Sequence, residues 1–152
     1  MHIIYHCVGG THSSAIAAAI HLGILPKNEK PNKKQILDIP YFDTLTKSYH
    51  GKIIFRGTDK NQNKVYTLSR QFAPDLVIPA VKDAWKIAGA NCNELLLVDT
   101  MPAVNIWMKI GGFSSRRLNL VSFGRPIVTK GTQIAFFDIV KIVDNTINKL
   151  SH

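Results

Sequence analysis

The start of the chain constrains the fold most, because residues 1–26 contain no Asp, Glu, Lys or Arg. His2–Val8 is a mostly apolar run of β-favouring residues, as expected for a strand that is buried on both faces. A Gly-Gly pair ends this run, and Ser13 or Ser14 is expected to cap the Ala- and Ile-rich helix that continues to about Leu22. A buried strand that leads through a tight turn into a packed helix is typical of an α/β domain.

The rest of the chain continues the alternation of strands and helices. Four β-type runs follow: Lys52–Arg56, Lys64–Arg70, Glu94–Val98 and Leu118–Phe123. The first two flank a polar turn and predict a hairpin. Helices are expected to begin at Pro79 and at Pro102, with an interruption near Gly111-Gly112, and a last one to cover about Thr132–Leu150. Residues 26–50 contain three prolines and predict a loop with at most one short element. This order predicts one three-layer α/β domain over residues 1–152, with a small, mainly parallel sheet and an inserted β-hairpin.

Length and composition exclude several other classes of protein. The chain has 152 residues, which is the usual size of one domain, and its hydrophobic content of 45% excludes a disordered tail. Two cysteines exclude a disulfide-stapled scaffold. No basic residue precedes the first apolar run, and no apolar stretch reaches the roughly 18 residues that a membrane span needs. We therefore expect a cytoplasmic protein with reduced cysteines and no membrane partner.

The net charge of +9 suggests an anionic partner, but most of the excess lies in residues 27–70, with ten basic and four acidic residues. Lysines that are spread in this way are typical of a solvated face, and no aromatic-basic interleaving of RNA-binding type accompanies them. Nucleic acid is therefore not the expected partner. The alternative is a non-catalytic regulatory or scaffold protein that uses the basic hairpin to bind a partner or nucleic acid. The sequence does not indicate an oligomeric state.

Three loops are expected at the carboxyl ends of the predicted strands, where α/β sheets bind ligands. They are residues 9–14, 99–102 and 124–126. The first loop combines backbone N–H groups at a helix start with small donors, which predicts an anion site. Its candidate ligand-binding residues are Gly9, Gly10, Thr11, Ser13 and Ser14. The alternative for this loop is a plain serine-capped turn.

The side chains that could carry chemistry lie in or near these loops. Cys7 ends the first strand beside the helix start, where a thiol can become a nucleophile, although a small buried apolar residue is the alternative. His12 brings an imidazole, and Asp99 could act as a general acid, bind a metal ion or cap the following helix. Arg116 and Arg125 are candidate anion ligands, and Arg116 could instead be the solvated end of a helix. The six histidines show no metal-ligand spacing, so no metal is expected, and the sequence indicates no cofactor.

Segments along nearly the whole chain resemble one uncharacterised family. They are residues 3–14, 17–23, 110–113, 115–118, 124–128 and 131–133. On these segments the chain is similar to a domain-of-unknown-function family of spore-forming Gram-positive bacteria, the family numbered three-one-eight-nine. The resemblance implies no established activity.

The first loop also resembles two better-understood families. Cys7, Gly9 and Ser14 match the Cys-x-Gly-x-x-x-Arg-Ser motif of low-molecular-weight tyrosine phosphatases, with Ser13 in place of the arginine. This likeness implies a nucleophile, a turn glycine and a thiolate-stabilising hydroxyl, and Asp99 loosely resembles that family's general acid. The glycines with Ser13 are similar to the Ser-Gly-Gly-x-Asp-Ser loop of PP-loop ATP pyrophosphatases, which implies phosphate binding. We therefore expect the loop to bind a phosphate-bearing small molecule or nucleotide, and whether hydrolysis or transfer follows stays open.

Overall fold

A computed structural model describes residues 1–116, 118 and 120–150, except the side chains of Lys47 and Arg116. Within these residues the strands are β1 (His2–Cys7), β2 (Ile53–Thr58), β3 (Lys64–Ser69) and β4 (Leu95–Asp99). The α-helices are α1 (Ser13–His21), α2 (Lys33–Leu37), α3 (Pro74–Ile87), α4 (Ile106–Arg116) and α5 (Val121–Leu150). Short 3₁₀ turns cover Lys47–Tyr49, Cys92–Glu94 and Met101–Ala103.

The four strands form one sheet in the order β2-β3-β1-β4. β1 pairs in parallel with both β3 and β4, whereas β2 and β3 form an antiparallel hairpin. The predicted α/β domain with a mainly parallel sheet and a hairpin is thus confirmed. The chain leaves β1 to form β3 on one side and then crosses to form β4 on the other. The carboxyl end of β1 is therefore the point where the winding direction reverses, and such points are where doubly wound sheets bind ligands.

Helix α1 packs on one face of this sheet, and helix α3 contacts the other face at His2. The Tyr5 hydroxyl of β1 donates a hydrogen bond of 2.7 Å to His21 of α1 on one face. On the other face the ring of His2 contacts Trp85 of α3, with 4.8 Å between ring centroids. The core lies on the α1 side, where all nine residues of α1 are buried and Phe136 of α5 is fully buried among them. This layering orients Cys7, an odd-numbered residue of β1 like Tyr5, toward α1.

Glycines bring α4 and α5 into close contact. A Cβ atom on Gly111 would lie 2.3 Å from the backbone nitrogen of Val128, and one on Gly124 would lie 2.3 Å from that of Ser115. No real Cβ fits at such distances, so this pair of helices depends on glycine at both positions. The contact fixes α4 against α5 and makes it one wall of the space beyond β1.

The same contact explains the main errors in the predicted elements. The strand expected at Leu118–Phe123 is wrong, because α5 begins at Val121, and the predicted loop 124–126 lies inside that helix. A six-residue apolar run does not distinguish a strand from a helix, and here packing of Gly124 on α4 decides the outcome. α4 also continues through Gly111-Gly112 without the expected interruption. Helix α3 begins at Pro74 and not at Pro79.

Candidate functional site

A cleft of about 830 Å³ opens at the carboxyl end of β1. Its lining residues come from the end of β1 and the following loop, from the segment after β3, and from the stretch between β4 and the end of α4. They are Cys7–Gly9, Thr11–Ser13, His50, Gln71, Phe72, Met101, Val104, Met108–Ile110 and Gly112–Ser114. The volume is within the range of small-molecule sites, about 300–1,000 Å³. The cleft lies at the end of β1 where the sequence predicts a ligand site, and where the winding of the sheet reverses.

The sulfur of Cys7 lies at one end of the cleft and is held by two polar contacts. It accepts a hydrogen bond of 3.1 Å from the Gly10 N–H and lies 3.2 Å from the hydroxyl oxygen of Ser14. Gly10 adopts a φ of +66°, and a Cβ there would lie 2.7 Å from the backbone nitrogen of Ser69. The turn that brings this N–H to the sulfur therefore requires glycine.

The hydroxyl groups of Thr11 and Ser13 in the loop form hydrogen bonds with other parts of the protein. The Ser13 hydroxyl lies 2.8 Å from that of Thr100, and the Thr11 hydroxyl donates to the carbonyl of Tyr41. Helix α1 has no side-chain cap, so the expected serine cap is wrong. Among the described residues, the N–H groups of Thr11, His12 and Ser13 have no acceptor. The loop therefore offers backbone N–H groups at a helix start in place of hydroxyls.

His12 lines the cleft and is oriented by a buried carboxylate. Its Nε2–H donates a hydrogen bond of 2.9 Å to Asp43, whose side chain is fully buried. Asp43 also accepts from the Ser115 hydroxyl at 2.6 Å and from Nε of Arg125 at 3.1 Å. Burial alone would raise the pKa of Asp43, but the hydrogen bonds from His12 and Ser115 outweigh it and lower that pKa. Asp43 is thus an anion that fixes the imidazole.

The other edge of the His12 ring faces α4. A Cβ on Gly112 would lie 2.9 Å from Cε1 and 3.2 Å from Nδ1 of His12, so the ring packs directly on the helix. Phe42 contacts the ring edge-on, with 5.6 Å between centroids. The imidazole is therefore held in one orientation with one nitrogen on a carboxylate, which is the arrangement of a positioned general acid or base.

Asp99 lies on the other face of the sheet. It pairs in register with His6, whose side chain points away from that of Cys7. Its carboxylate accepts a hydrogen bond of 3.0 Å from the N–H of Met101 and lies 3.6 Å from Arg70. Burial, together with the nearby guanidinium of Arg70, lowers the pKa of His6 despite Asp99. The structure thus does not bring Asp99 to Cys7, and the contact with Met101 corresponds to the capping alternative.

Of the two predicted arginines, the structure describes only the side chain of Arg125, and it does not line the cleft. The guanidinium of Arg125 bonds to the side chain and the backbone oxygen of Asp43. The side chain of Arg116 lies outside the part of the chain that the structure describes. Lys109 and His50 line the cleft instead. No sequence signal indicated these two residues, since each lies in a segment without a recognisable motif.

Arg56 of β2 is a partly buried cation outside the cleft lining. Its Nε donates a hydrogen bond of 2.9 Å to Thr67, and its guanidinium lies 5.3 Å from the ring centroid of Tyr41. Its Nη2 atom is buried and has no hydrogen-bond partner among the described residues. Burial lowers the pKa of Arg56 to about 10, and the electrostatic effect of Tyr41 and Cys7 partly opposes this shift. Arg56 is therefore an electrostatic neighbour of Cys7 that the sequence analysis missed.

Together, the fold and the cleft define an α/β protein with a candidate ligand site at the switch point of its sheet. The chain belongs to the family described as "Protein of unknown function (DUF3189)", whose model matches residues 2–148. No curated protein and no solved structure significantly matches the chain. None of the described helices is long and apolar enough to cross a membrane. Within the same residues, no group of three or more His, Cys, Asp or Glu side chains could hold a metal ion.

Proposed function

We propose that the protein binds the phosphate group of a small molecule or nucleotide on the Gly9–Ser14 loop and transfers that group to Cys7. The observation that carries the proposal is that one loop both donates the Gly10 N–H to the Cys7 sulfur and carries the N–H groups of Thr11–Ser13, which have no acceptor among the described residues, on the lining of a cleft of about 830 Å³. The N-terminus of a helix carries roughly half a positive charge and binds anions through such groups. Lys109 adds a positive charge to the lining of the same cleft.

In the proposed reaction the thiolate of Cys7 attacks phosphorus. An S–P bond forms while the bond from phosphorus to the ester oxygen breaks, and the leaving oxygen takes a proton from the His12 imidazolium. Water then attacks the phosphocysteine, with His12 as the base, and releases inorganic phosphate and the thiolate. Asp43 stabilises the imidazolium by the hydrogen bond of 2.9 Å. His12 takes the acid role expected of Asp99, because Asp99 lies on the opposite face of the sheet.

The likeness to low-molecular-weight tyrosine phosphatases supports this reaction at three positions. Cys7, Gly9 and Ser14 match the motif, and the Ser14 hydroxyl lies 3.2 Å from the sulfur, where it can stabilise the thiolate. Ser13 replaces the arginine of the motif. We assign the missing positive charge to Lys109, which lines the cleft, since the guanidinium of Arg125 is bonded to Asp43.

The experiment uses the full chain, with inorganic phosphate and vanadate as ligands and p-nitrophenyl phosphate as a substrate. We expect phosphate at 100 times its Kd to stabilise the protein by about 2.7 kcal/mol. Cys7→Ser is expected to abolish hydrolysis and retain phosphate binding. Cys92→Ser is the matched control, because Cys92 is exposed and remote from the cleft lining.

Two results would contradict the proposal in different ways. If Cys7→Ser hydrolyses the ester at the rate of the unmodified chain, Cys7 is not the nucleophile. If neither phosphate nor vanadate raises the melting temperature, the loop is not a phosphate site.

A further inference from the structure

The walls of the cleft are far less polar than its Cys7 end. The side of the cleft formed by α4 and the turn before it is lined by Met101, Val104, Met108, Ile110 and Phe113. The segment after β3 contributes Phe72 to the lining. Phe72 is 72% exposed, Phe113 50% and Ile110 44%, so these side chains contact water while the cleft is open. Clustered exposed apolar side chains beside convergent polar groups are typical of a ligand groove.

The cleft is also much larger than a phosphate group. A phosphate fills the volume of only a few water molecules, each about 30 Å³. Most of the 830 Å³ therefore remains for the rest of the ligand, and this remaining space adjoins the apolar wall. The polar groups at the loop would hold one charged end, and the wall would cover the other part of the ligand.

We propose that the ligand is a phosphate monoester with an extended apolar body, which packs on α4 while its phosphate lies on the Gly9–Ser14 loop. This inference rests on the proposed function and adds the class of substrate. The apolar body gains affinity by leaving water, whereas a sugar or a glycerol would lose hydrogen bonds to water against Val104 and Phe113. Phe113 and Phe72 determine specificity, because they are exposed in the open cleft and would be covered by the ligand.

The test measures affinity by calorimetry with phosphonates, which bind as phosphate esters do and are not hydrolysed. The probes are methylphosphonate, octylphosphonate below its micelle concentration, and octanamide as a neutral chain of equal length. We expect octylphosphonate to bind at least about ten-fold more tightly than methylphosphonate, since each buried methylene contributes about 0.8 kcal/mol. Octanamide is expected to bind far more weakly than octylphosphonate.

Two variants test where the octyl chain of the ligand binds. Phe113→Ser is expected to weaken octylphosphonate binding about five- to ten-fold and to leave methylphosphonate binding unchanged. Phe123→Ser is the matched control, because Phe123 is 62% exposed on α5 and does not line the cleft. It is expected to change neither affinity.

Each failure has a distinct meaning. If methylphosphonate binds and octylphosphonate binds less than about three-fold more tightly, the ligand does not have an extended apolar body, and the phosphate site stands. If octanamide binds as tightly as octylphosphonate and phosphate competes with neither, the phosphate site itself is wrong. If Phe113→Ser leaves both affinities unchanged but dissociates a dimer in sedimentation, the apolar wall is a subunit contact and the inference is overturned.

Discussion

Nε2 of His12 lies 2.9 Å from Oδ1 of Asp43, and this contact joins the loop after β1 to a segment 31 residues further along the chain. Asp43 in turn bonds to Ser115 of α4 and to Arg125 of α5. One buried carboxylate therefore connects the candidate site to α4, which lines the cleft, and to α5, on which α4 packs. The position of α4 over the cleft and the orientation of His12 depend on the same group.

Asp43→Asn tests this dependence. The change leaves Arg125 beside a neutral amide, so the variant keeps the shape of the site but loses its buried anion. Breaking a buried ion pair from one side costs about 3–5 kcal/mol, and Arg125 is partly exposed, so we expect a loss of about 2–4 kcal/mol. Urea unfolding at pH 7 measures it. Asp38→Asn is the control, since Asp38 is solvent-exposed in an i,i+4 pair and is expected to change stability by less than about 0.5 kcal/mol.

The same variant should change how the free energy of unfolding depends on pH in acid. Since the pKa of Asp43 is lowered in the folded protein, its contribution is fully present above the unfolded value of about 3.9. It is lost as the pH falls through the lower folded value. As the pH is lowered below about 4, the free energy of unfolding of Asp43→Asn should therefore decrease less than that of the unmodified chain. Equal slopes for the two proteins would contradict an ionised Asp43.

His21 should make the protein less stable in mild acid. Burial lowers the pKa of His21, in spite of the hydrogen bond from its Nε2–H to Asp59 at 3.0 Å. The unfolded chain therefore binds a proton more readily than the folded one, so stability falls as the pH drops below the unfolded value of about 6.5. His21→Gln removes this proton uptake. Between about pH 7.5 and 5, the free energy of unfolding should decrease less for the variant than for the unmodified chain. An equal decrease for the two proteins would show that His21 does not cause the effect.

The elements that could be predicted are those with a local signal. The apolar run of β1, the glycine pair and the alanine-rich α1 are contiguous, and the hairpin has a polar turn between two β-type runs. The start of α5 has no such signal. Whether Val121–Phe123 is strand or helix depends on how closely Gly124 approaches Ser115 of a different helix.

The predicted part of the candidate site is local in the sequence. Cys7 and its loop were predicted because they are adjacent in sequence, and they contribute to the cleft lining. Asp43 was missed because it lies in a proline-rich loop, with a left-handed φ of +50°, and meets its partners only through the tertiary fold. Asp99 was placed near Cys7 because both end strands, but the pairing of Asp99 with His6 turns it to the other face.

Gly10→Ala tests whether the turn itself forms the site. The new Cβ would lie 2.7 Å from the backbone of Ser69, in a conformation that L-residues disfavour by about 1–2 kcal/mol. With the steric term added, we expect a loss of about 2–5 kcal/mol in stability and a large loss of phosphate affinity. Gly23→Ala is the matched control, because Gly23 has a φ of +72° and open space around it. It should cost only about 1–2 kcal/mol and leave phosphate affinity unchanged.

Arg56→Met tests the electrostatic role of the buried guanidinium. Methionine is apolar and of similar length, and replacing a buried charge by an apolar side chain is often neutral or stabilising, so we expect stability within about 1 kcal/mol of the unmodified chain. The sulfur of Cys7 loses a positive charge that acts on it electrostatically. Alkylation of Cys7 by iodoacetamide at about pH 7 should therefore slow several-fold. Lys60→Met in the exposed hairpin turn is the control and should leave the rate unchanged. If both variants alkylate like the unmodified chain, Arg56 does not act on Cys7, and the positive charge of the site must come from Lys109.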